Sequence, residues 1–329
     1  MTLSVLFIGG TGQISLPCVH LALEAGHKVS ILNRGKTSVD LPKGVDTIVG
    51  DMGDEKTYSR LGKRSFDVVA QFRAYLPDQM KKDIATFTGN TGQYVFISSA
   101  SAYQKPAKHY VITERTPLEN PYSQYSRDKI ACETLLRNQS RLPYTIVRPS
   151  HTVRTNLPFP IGDGDALARR VLRGAPVIVP GDGTSLWALT RAADFAKPFV
   201  KLFGTPKALG EDFQITSERS WTWNEIINAM AAGLGEKANI VHVPADTLVA
   251  YHKPWEAPLT GDKIWSVLFD NSKVKSVAGP FTCAATLPEI LADSVMNFKK
   301  RNTTASHAPH EQDVLMDKIC AEQSKLGKG

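Results

Sequence analysis

Over the first 150 residues, short apolar β-branched runs alternate with stretches whose apolar residues recur at helical spacing. That rhythm predicts a parallel sheet with crossover helices. "LSVLFI" (3–8) is a continuous apolar run of strand length, as expected for a strand covered on both faces. In "ISLPCVHLALEAG" (14–26) Val19 and Leu23 gather with their neighbours on one helical face, and Gly26 stands where a helix C-terminus favours glycine. "HKVSILN" (27–33), "VDTIVG" (45–50), "FDVVAQF" (66–72), "QYVFIS" (93–98) and "YTIVR" (144–148) read as five further strands. Six parallel strands separated by helices predict a doubly wound α/β sheet.

After Pro149 the pattern changes. "RPSHTVRTNLPFPIGDGD" (148–165) is rich in Pro and Gly and reads as a long loop above the sheet. "ALARRVLRG" (166–174) predicts a short helix and "PVIVPGDG" a strand and turn. "RAADFAKPFVKLFG" (191–204) is helical, with Pro198 expected to kink or break it. "TWNEIINAMAAGLG" (222–235) opens on a Thr cap, has Glu225 three residues later and closes on Gly235, the signals of a capping box and a glycine stop. "RNTTASHAPHEQ" (301–312) reads as a linker. "DVLMDKICAEQSKL" (313–326) predicts a terminal helix that docks on the chain or meets a partner, which leaves a homodimer open. No internal repeat is present.

The junction between the first strand and the first helix carries candidate chemistry. In "GGTGQIS" (9–15), Gly9 enters a tight turn and Gly12 lets the backbone approach a pyrophosphate resting on the helix N-terminus. Gln13 and Ile14, which open that helix, are further expected contacts. The third glycine of such loops serves helix–strand packing, and Ser15 stands in its place. Serine adds only a CH₂OH group, so the helix should shift slightly, with its hydroxyl available to a phosphate. Cofactor choice is read at the end of the second strand, in "NRGKT" (33–37). A carboxylate there would suit the ribose 2′-hydroxyl of NAD; Asn33, Arg34 and Lys36 suit the 2′-phosphate of NADP. NADP is therefore the expected cofactor, with NAD as the alternative. Asp51 and Met52, after the third strand, are placed to meet the adenine.

"YSRDK" sets Tyr125 and Lys129 four residues apart, on one face of a helix. An ammonium beside a phenol favours phenolate, which predicts a lowered Tyr125 pKa and an acid/base role. Upstream, "FISSASAY" (96–103) ends a strand in serines. Ser99 would sit over a nicotinamide and donate to a substrate oxygen, with Ser101 a second substrate contact.

Composition bounds these readings. With 42% hydrophobic and 22% charged residues, the 329-residue chain has the make-up of a globular protein with a sizeable core. No stretch reaches the length of a membrane helix, and the N-terminus runs straight into a strand with no leader pattern, so a cytoplasmic location is expected. Cys18, Cys132, Cys283 and Cys320 are far apart, which indicates neither a metal site nor a disulfide framework. The net charge of +7 favours anionic partners, whether a phosphorylated cofactor or nucleic acid.

The segments "GGTGQIS", "GDMGD", "YVFISSASAY", "YSRDKIACE", "IVRPS", "VPGDGTS" and "DNSKV" together give the chain its resemblance to an extended short-chain dehydrogenase/reductase, among NAD(P)-dependent epimerases and dehydratases. The resemblance implies a catalytic triad at Ser99, Tyr125 and Lys129. It also implies a Rossmann domain over residues 1–150, with a segment at about 186–215 returning to it. A smaller, mostly C-terminal α/β substrate lobe would then comprise 151–185 and 216–300, leaving 301–329 as linker and terminal helix.

The chain departs from that family where nucleotide sugars are held. After "GDG" the family carries an arginine for the substrate diphosphate; here that place holds Trp187, with Arg191 in the next turn. A second family arginine is replaced in "EAPLTGDK", where Pro258 and Leu259 precede Gly261 and Asp262. With both clamps missing, the expected substrate is a small non-nucleotide molecule. Trp187, Trp221, Trp223, Trp255 and Trp265 supply either core or an aromatic pocket, and His151 and Arg154 are its candidate polar contacts. The leading expectation is an NADP-dependent oxidoreductase acting on a carbonyl or secondary alcohol. The alternative is an epimerase or dehydratase with retained cofactor. A third reading rests on a resemblance to chloroplast stem-loop-binding proteins in "NRGK" and the basic balance. The lack of an aromatic-plus-basic cluster weighs against nucleic acid.

Overall fold

The computed structural model describes residues 1–35, 39, 41–139, 141–301 and 311–326. Seven strands form one parallel sheet: β1 (Ser4–Ile8), β2 (Lys28–Asn33), β3 (Asp46–Val49), β4 (Phe66–Gln71), β5 (Thr91–Ile97), β7 (Tyr144–Pro149) and β12 (Glu211–Ile215). Their order is β12-β7-β5-β4-β1-β2-β3. The direction of winding reverses between β1 and β4, the place where doubly wound sheets take a dinucleotide.

Helices cover both faces. On one, α1 (Ser15–Glu24) and α6 (Ala192–Lys201) pack with Val5, Phe7, Ile31, Phe195 and Phe199. On the other lie α2 (Glu55–Leu61), α3 (Pro77–Phe87) and α4 (Gln124–Asn138), over Leu6, Ile8, Val69, Tyr94 and Phe96. Strand β1 therefore buries alternate side chains on opposite faces, which is why its sequence reads as unbroken apolar.

β12 escapes a periodicity reading because Glu211, Asp212 and Gln214 interrupt it. Most of those polar groups find partners, although among the described residues the Gln214 Oε1 accepts no hydrogen bond. Gln214, fully buried, donates to the carbonyls of Ile112 and Asp270 at 2.8 and 2.7 Å, and Asp212 pairs with Arg148 at 2.7 Å. Helix α6 runs unbroken through Pro198, contrary to the expected break. Proline removes one hydrogen bond, while the buried ring and its neighbours Phe195, Phe199 and Val200 hold the helix against the core.

The remaining elements build a second layer beyond the C-terminal ends of the strands. Short pairs form between β6 (Val111–Ile112) and β15 (Leu268–Phe269), and between β8 (His151–Val153) and β11 (Leu189–Arg191). Two more join β9 (Val177–Pro180) to β14 (Ile240–Val243) and β10 (Leu186–Trp187) to β13 (Trp221–Thr222). β8 lies in the stretch expected to be loop. Helices α5 (Gly164–Leu172) and α7 (Trp223–Leu234) complete this part, followed by α8 (Ala245–Tyr251), α9 (Glu256–Pro258) and α11 (Leu287–Arg301), while α10 (Ser272–Ala278) packs back on α6 and β12. Around α7 the expected devices are all present: Thr222 Oγ1 accepts from the Glu225 amide, Glu225 answers the Thr222 amide, and Gly235 closes the helix at φ 91°. The terminal helix α12 (Glu311–Leu326) docks on the chain, burying Met316, Ile319 and Cys320, with Arg170 paired to Asp313 at 3.1 Å. The expected linker at 301–312 falls mostly outside the described residues.

A buried hub ties α2, α3 and the sheet together. Asp83 accepts from Tyr58 and Tyr94 at 2.6 Å each and from Gln71 at 2.5 Å. Burial pushes its carboxyl up to about 6 despite those three donors. Asp83→Ala would strand all three, so urea denaturation should show a loss of about 3 kcal/mol. An unchanged midpoint would mean the hub carries no net stability.

Candidate functional site

The glycine loop leaves β1 at Ile8, and the Gly9 amide continues the pairing by donating to Leu32 O at 3.0 Å. Gly9 then adopts φ 87°. Ser15 does not face a phosphate position, contrary to the expectation. Its hydroxyl is buried, donates to Gly9 O at 2.6 Å and accepts from the Gly12 amide at 2.9 Å. The substituted serine thus staples the turn that the glycines form.

Ile14, at the N-cap of α1, gives no side-chain cap, and the first turn carries no acidic residue. The helix start therefore keeps amide donors for an anion. Arg154 reaches over from beyond β8 to the carbonyls of Gln13 (3.1 Å) and Gly12 (3.4 Å), while Gln13 Oε1 accepts from Thr155 Oγ1 at 2.6 Å. Arg154 is a loop contact rather than a pocket contact, because these carbonyls claim its guanidinium. A side chain that the sequence reading missed, Arg73 at the end of β4, crosses the loop so closely that a Cβ on Gly9 would lie 2.3 Å from its Cγ. The open helix start flanked by two arginines fits a dinucleotide pyrophosphate.

Asn33 Oδ1 accepts from the Gly35 amide at 2.9 Å, which leaves Arg34 exposed at the end of β2. Lys36 lies outside the described residues. Asp51 Oδ1 accepts from the Gly53 amide at 2.8 Å, shaping the turn after β3, and Met52 is half-buried there.

At the end of β5, Ser99 caps a short 3₁₀ turn and its hydroxyl lies 2.9 Å from that of Ser101, which accepts from Ser126 at 2.9 Å. Ser123 caps α4, whose first turns present Tyr125 and Lys129. Tyr125 and Ser99 line one cavity, with the Ser99 hydroxyl near enough to stabilise phenolate. Burial nevertheless dominates and pushes the Tyr125 phenol up to about 12. The expected downward shift from Lys129 is therefore not found in the ligand-free protein. Lys129 donates instead to Ala74 O and Ile97 O at 2.7 and 2.8 Å, and its Nζ lies 5.9 Å from the Tyr125 ring centre and 4.8 Å from that of Tyr75. Its own burial pulls the ammonium down to about 8.

The cavity, about 280 Å³, brings Ser99, Ser101 and Tyr125 together with His151, Trp187 and Pro258. Trp187 is 5% exposed and stacks on Trp223 at 5.7 Å, with His151 edge-on at 6.4 Å. Burial, aided by Lys263, pulls His151 down to about 3, so the imidazole is neutral. Trp221, Trp223, Trp255 and Trp265 are not lining residues, and neither is Arg191, which lies within electrostatic reach of Glu289. Three charged residues outside the expected site residues line the cavity: Lys105, and Asp262 and Lys263 of the "EAPLTGDK" segment. Among the described residues no cluster of His, Cys, Asp and Glu could hold a metal ion, and no helix is long and apolar enough to cross a membrane.

The model of the NAD dependent epimerase/dehydratase family matches residues 5–216, nearly two thirds of the chain. The chain belongs to that family. Membership accounts for the glycine loop, the reversal of the sheet and the strand-end serines, and makes the protein an NAD(P)-dependent enzyme of the oxidoreductase or epimerase type. Similar proteins include 2'-dehydrokanamycin reductase of Streptomyces kanamyceticus, 26% identical over 74% of this chain and 70% of its own. A chloroplast stem-loop binding protein of 41 kDa from Arabidopsis thaliana is 27% identical over 72% of this chain and 65% of its own. The epimerase of Methanothermobacter thermautotrophicus has the same fold, with a TM-score of 0.75, 17% identity and coverage of 92% of this chain and 94% of its own.

Proposed function

We propose that the protein is an NADP-dependent oxidoreductase acting on a carbonyl or secondary alcohol of a small non-nucleotide substrate. The observation that carries this reading is the shared lining of one cavity by the Ser99 and Tyr125 hydroxyls, with Lys129 anchored behind them. Trp187 lines that cavity where a nucleotide-sugar enzyme would carry a diphosphate arginine. A relative that is itself named a reductase supports redox over epimerisation. Residues 1–150, with the stretch from α6 to β12, would hold the dinucleotide, and the rest of the lobe would hold the substrate.

When bound, the nicotinamide supplies the hydride to the carbonyl carbon, or accepts it from the alcohol in the reverse direction. Ser99 donates to the substrate oxygen and orients it. Tyr125, fully protonated at neutral pH, passes its proton to that oxygen in reduction and regains one from solvent. Lys129 has one N–H left after its two carbonyl bonds, which would be available to the ribose hydroxyls of a bound dinucleotide. Because its ammonium is present below pH 8 and lost above it, kcat/KM for the dinucleotide should fall as pH rises through about 8. A flat profile from pH 6 to 10 would remove Lys129 from cofactor binding.

Arg34 is exposed at the β2 end and its sequence neighbours Asn33 and Gly35 carry no carboxylate, which supports NADP. Arg34→Ala should weaken NADPH about tenfold and leave NADH nearly unchanged in fluorescence titrations. Equal losses for both would remove Arg34 from the 2′-phosphate.

The fold shared with an epimerase favours a second reading, in which the substrate is oxidised transiently and reduced on its other face. That enzyme would show no net change in cofactor absorbance during turnover.

A further inference from the structure

Lys105 and Lys263 are 3% and 8% exposed, yet among the described residues neither ammonium has a hydrogen bond or an ion pair. Lys263 meets only the face of Phe159, with its Nζ 4.5 Å from the ring centre. Asp262 lies within electrostatic reach of both lysines, and its carboxylate also has no hydrogen-bond partner. All three line the cavity of Ser99 and Tyr125, and the Asp262 charge is felt at the Tyr125 phenol. Buried charges without partners are costly, and such a cluster in a cleft is kept where a ligand completes it.

Charge balance narrows the ligand. Burial pulls Lys263 down to about 8 and pushes Asp262 up to about 6, so at pH 7 both are predominantly charged; burial also lowers Lys105, whose ammonium the Asp262 carboxylate supports. With His151 neutral, two ammoniums and one carboxylate leave a single positive charge. One negative charge on the ligand neutralises it, whereas a diphosphate would overshoot.

We propose that Lys105 and Lys263 form a carboxylate-binding subsite, so that the substrate is a small carboxylic acid carrying the carbonyl or hydroxyl that Ser99 and Tyr125 address. This deepens the oxidoreductase reading and rests on it for the reacting end of the substrate. Asp262 acts as a restraint, trimming the local positive charge so that a singly charged anion is preferred over phosphate.

The test is calorimetric titration of the full-length protein at pH 7 with pyruvate, inorganic phosphate and uridine diphosphate as probes. Pyruvate should bind with one-to-one stoichiometry and more tightly than either phosphate compound. Lys105→Gln and Lys263→Gln should each weaken it by about tenfold. Asp262→Asn should tighten anion binding and narrow the preference over phosphate, a gain that a misfolded variant cannot produce. Pyruvate bound with no reduction of any keto acid defeats the redox reading alone, which separates the two readings. No pyruvate binding, wild-type affinity in both lysine variants, or a preference for either phosphate probe would overturn the subsite.

Discussion

Tyr125→Phe lowers carbonyl-dependent turnover by about 10²–10⁴-fold while leaving dinucleotide affinity nearly unchanged. The phenylalanine keeps the ring that meets Tyr75 at 6.4 Å and removes only the proton that the cavity presents. Ser99 cannot take over, because its hydroxyl is committed to Ser101 and to the substrate oxygen. Ser99→Ala should cost less than Tyr125→Phe, since it removes an orienting donor and leaves the proton source. Steady-state rates at saturating cofactor check both. Wild-type turnover in Tyr125→Phe would require another acid, and among the described residues no other phenol lines the cavity.

The second large effect is expected at Gly9. A side chain there meets two obstacles at once: a backbone at φ 87°, and Arg73 Cγ at 2.3 Å from the Cβ. Left-handed backbone costs an L-residue about 1–2 kcal/mol, and Arg73 must leave the loop besides. Gly9→Ala should therefore reduce affinity for either dinucleotide by more than about tenfold, read by fluorescence quenching. The folded core should persist, because β1 and α1 bury their side chains elsewhere. Affinity equal to wild type would mean that the pyrophosphate does not rest on this turn.

Much of the sheet was legible because parallel strands buried on both faces write unbroken apolar runs, as in Val5–Ile8 and Tyr94–Ile97. β12 was not, because its polar residues are satisfied by partners up to 100 residues away in sequence, such as Glu114 and Arg148. The positions of Ser99, Tyr125 and Lys129 could be read from spacing, since a strand end and a four-residue helical step are local geometry. Their ionisation could not be, since burial outweighs the neighbouring charge at Tyr125. Ser15 shows a different limit. Its identity announced a departure, but only the fold reveals that its hydroxyl bridges Gly9 and Gly12. Lys105 and Lys263 were not legible as site residues, because they come together only where the loop after β5 and the segment after α9 close over the same cavity.

The central claim is that the cavity supports net hydride transfer with NADP. Its most direct test is the near-ultraviolet absorbance of NADPH, in excess over the full-length protein, during turnover of a panel of small keto acids. The account predicts stoichiometric loss of that absorbance with at least one of them, faster with NADPH than with NADH and abolished in Tyr125→Phe. Isomerised product with no net change in absorbance, or failure of either dinucleotide to bind, would contradict it.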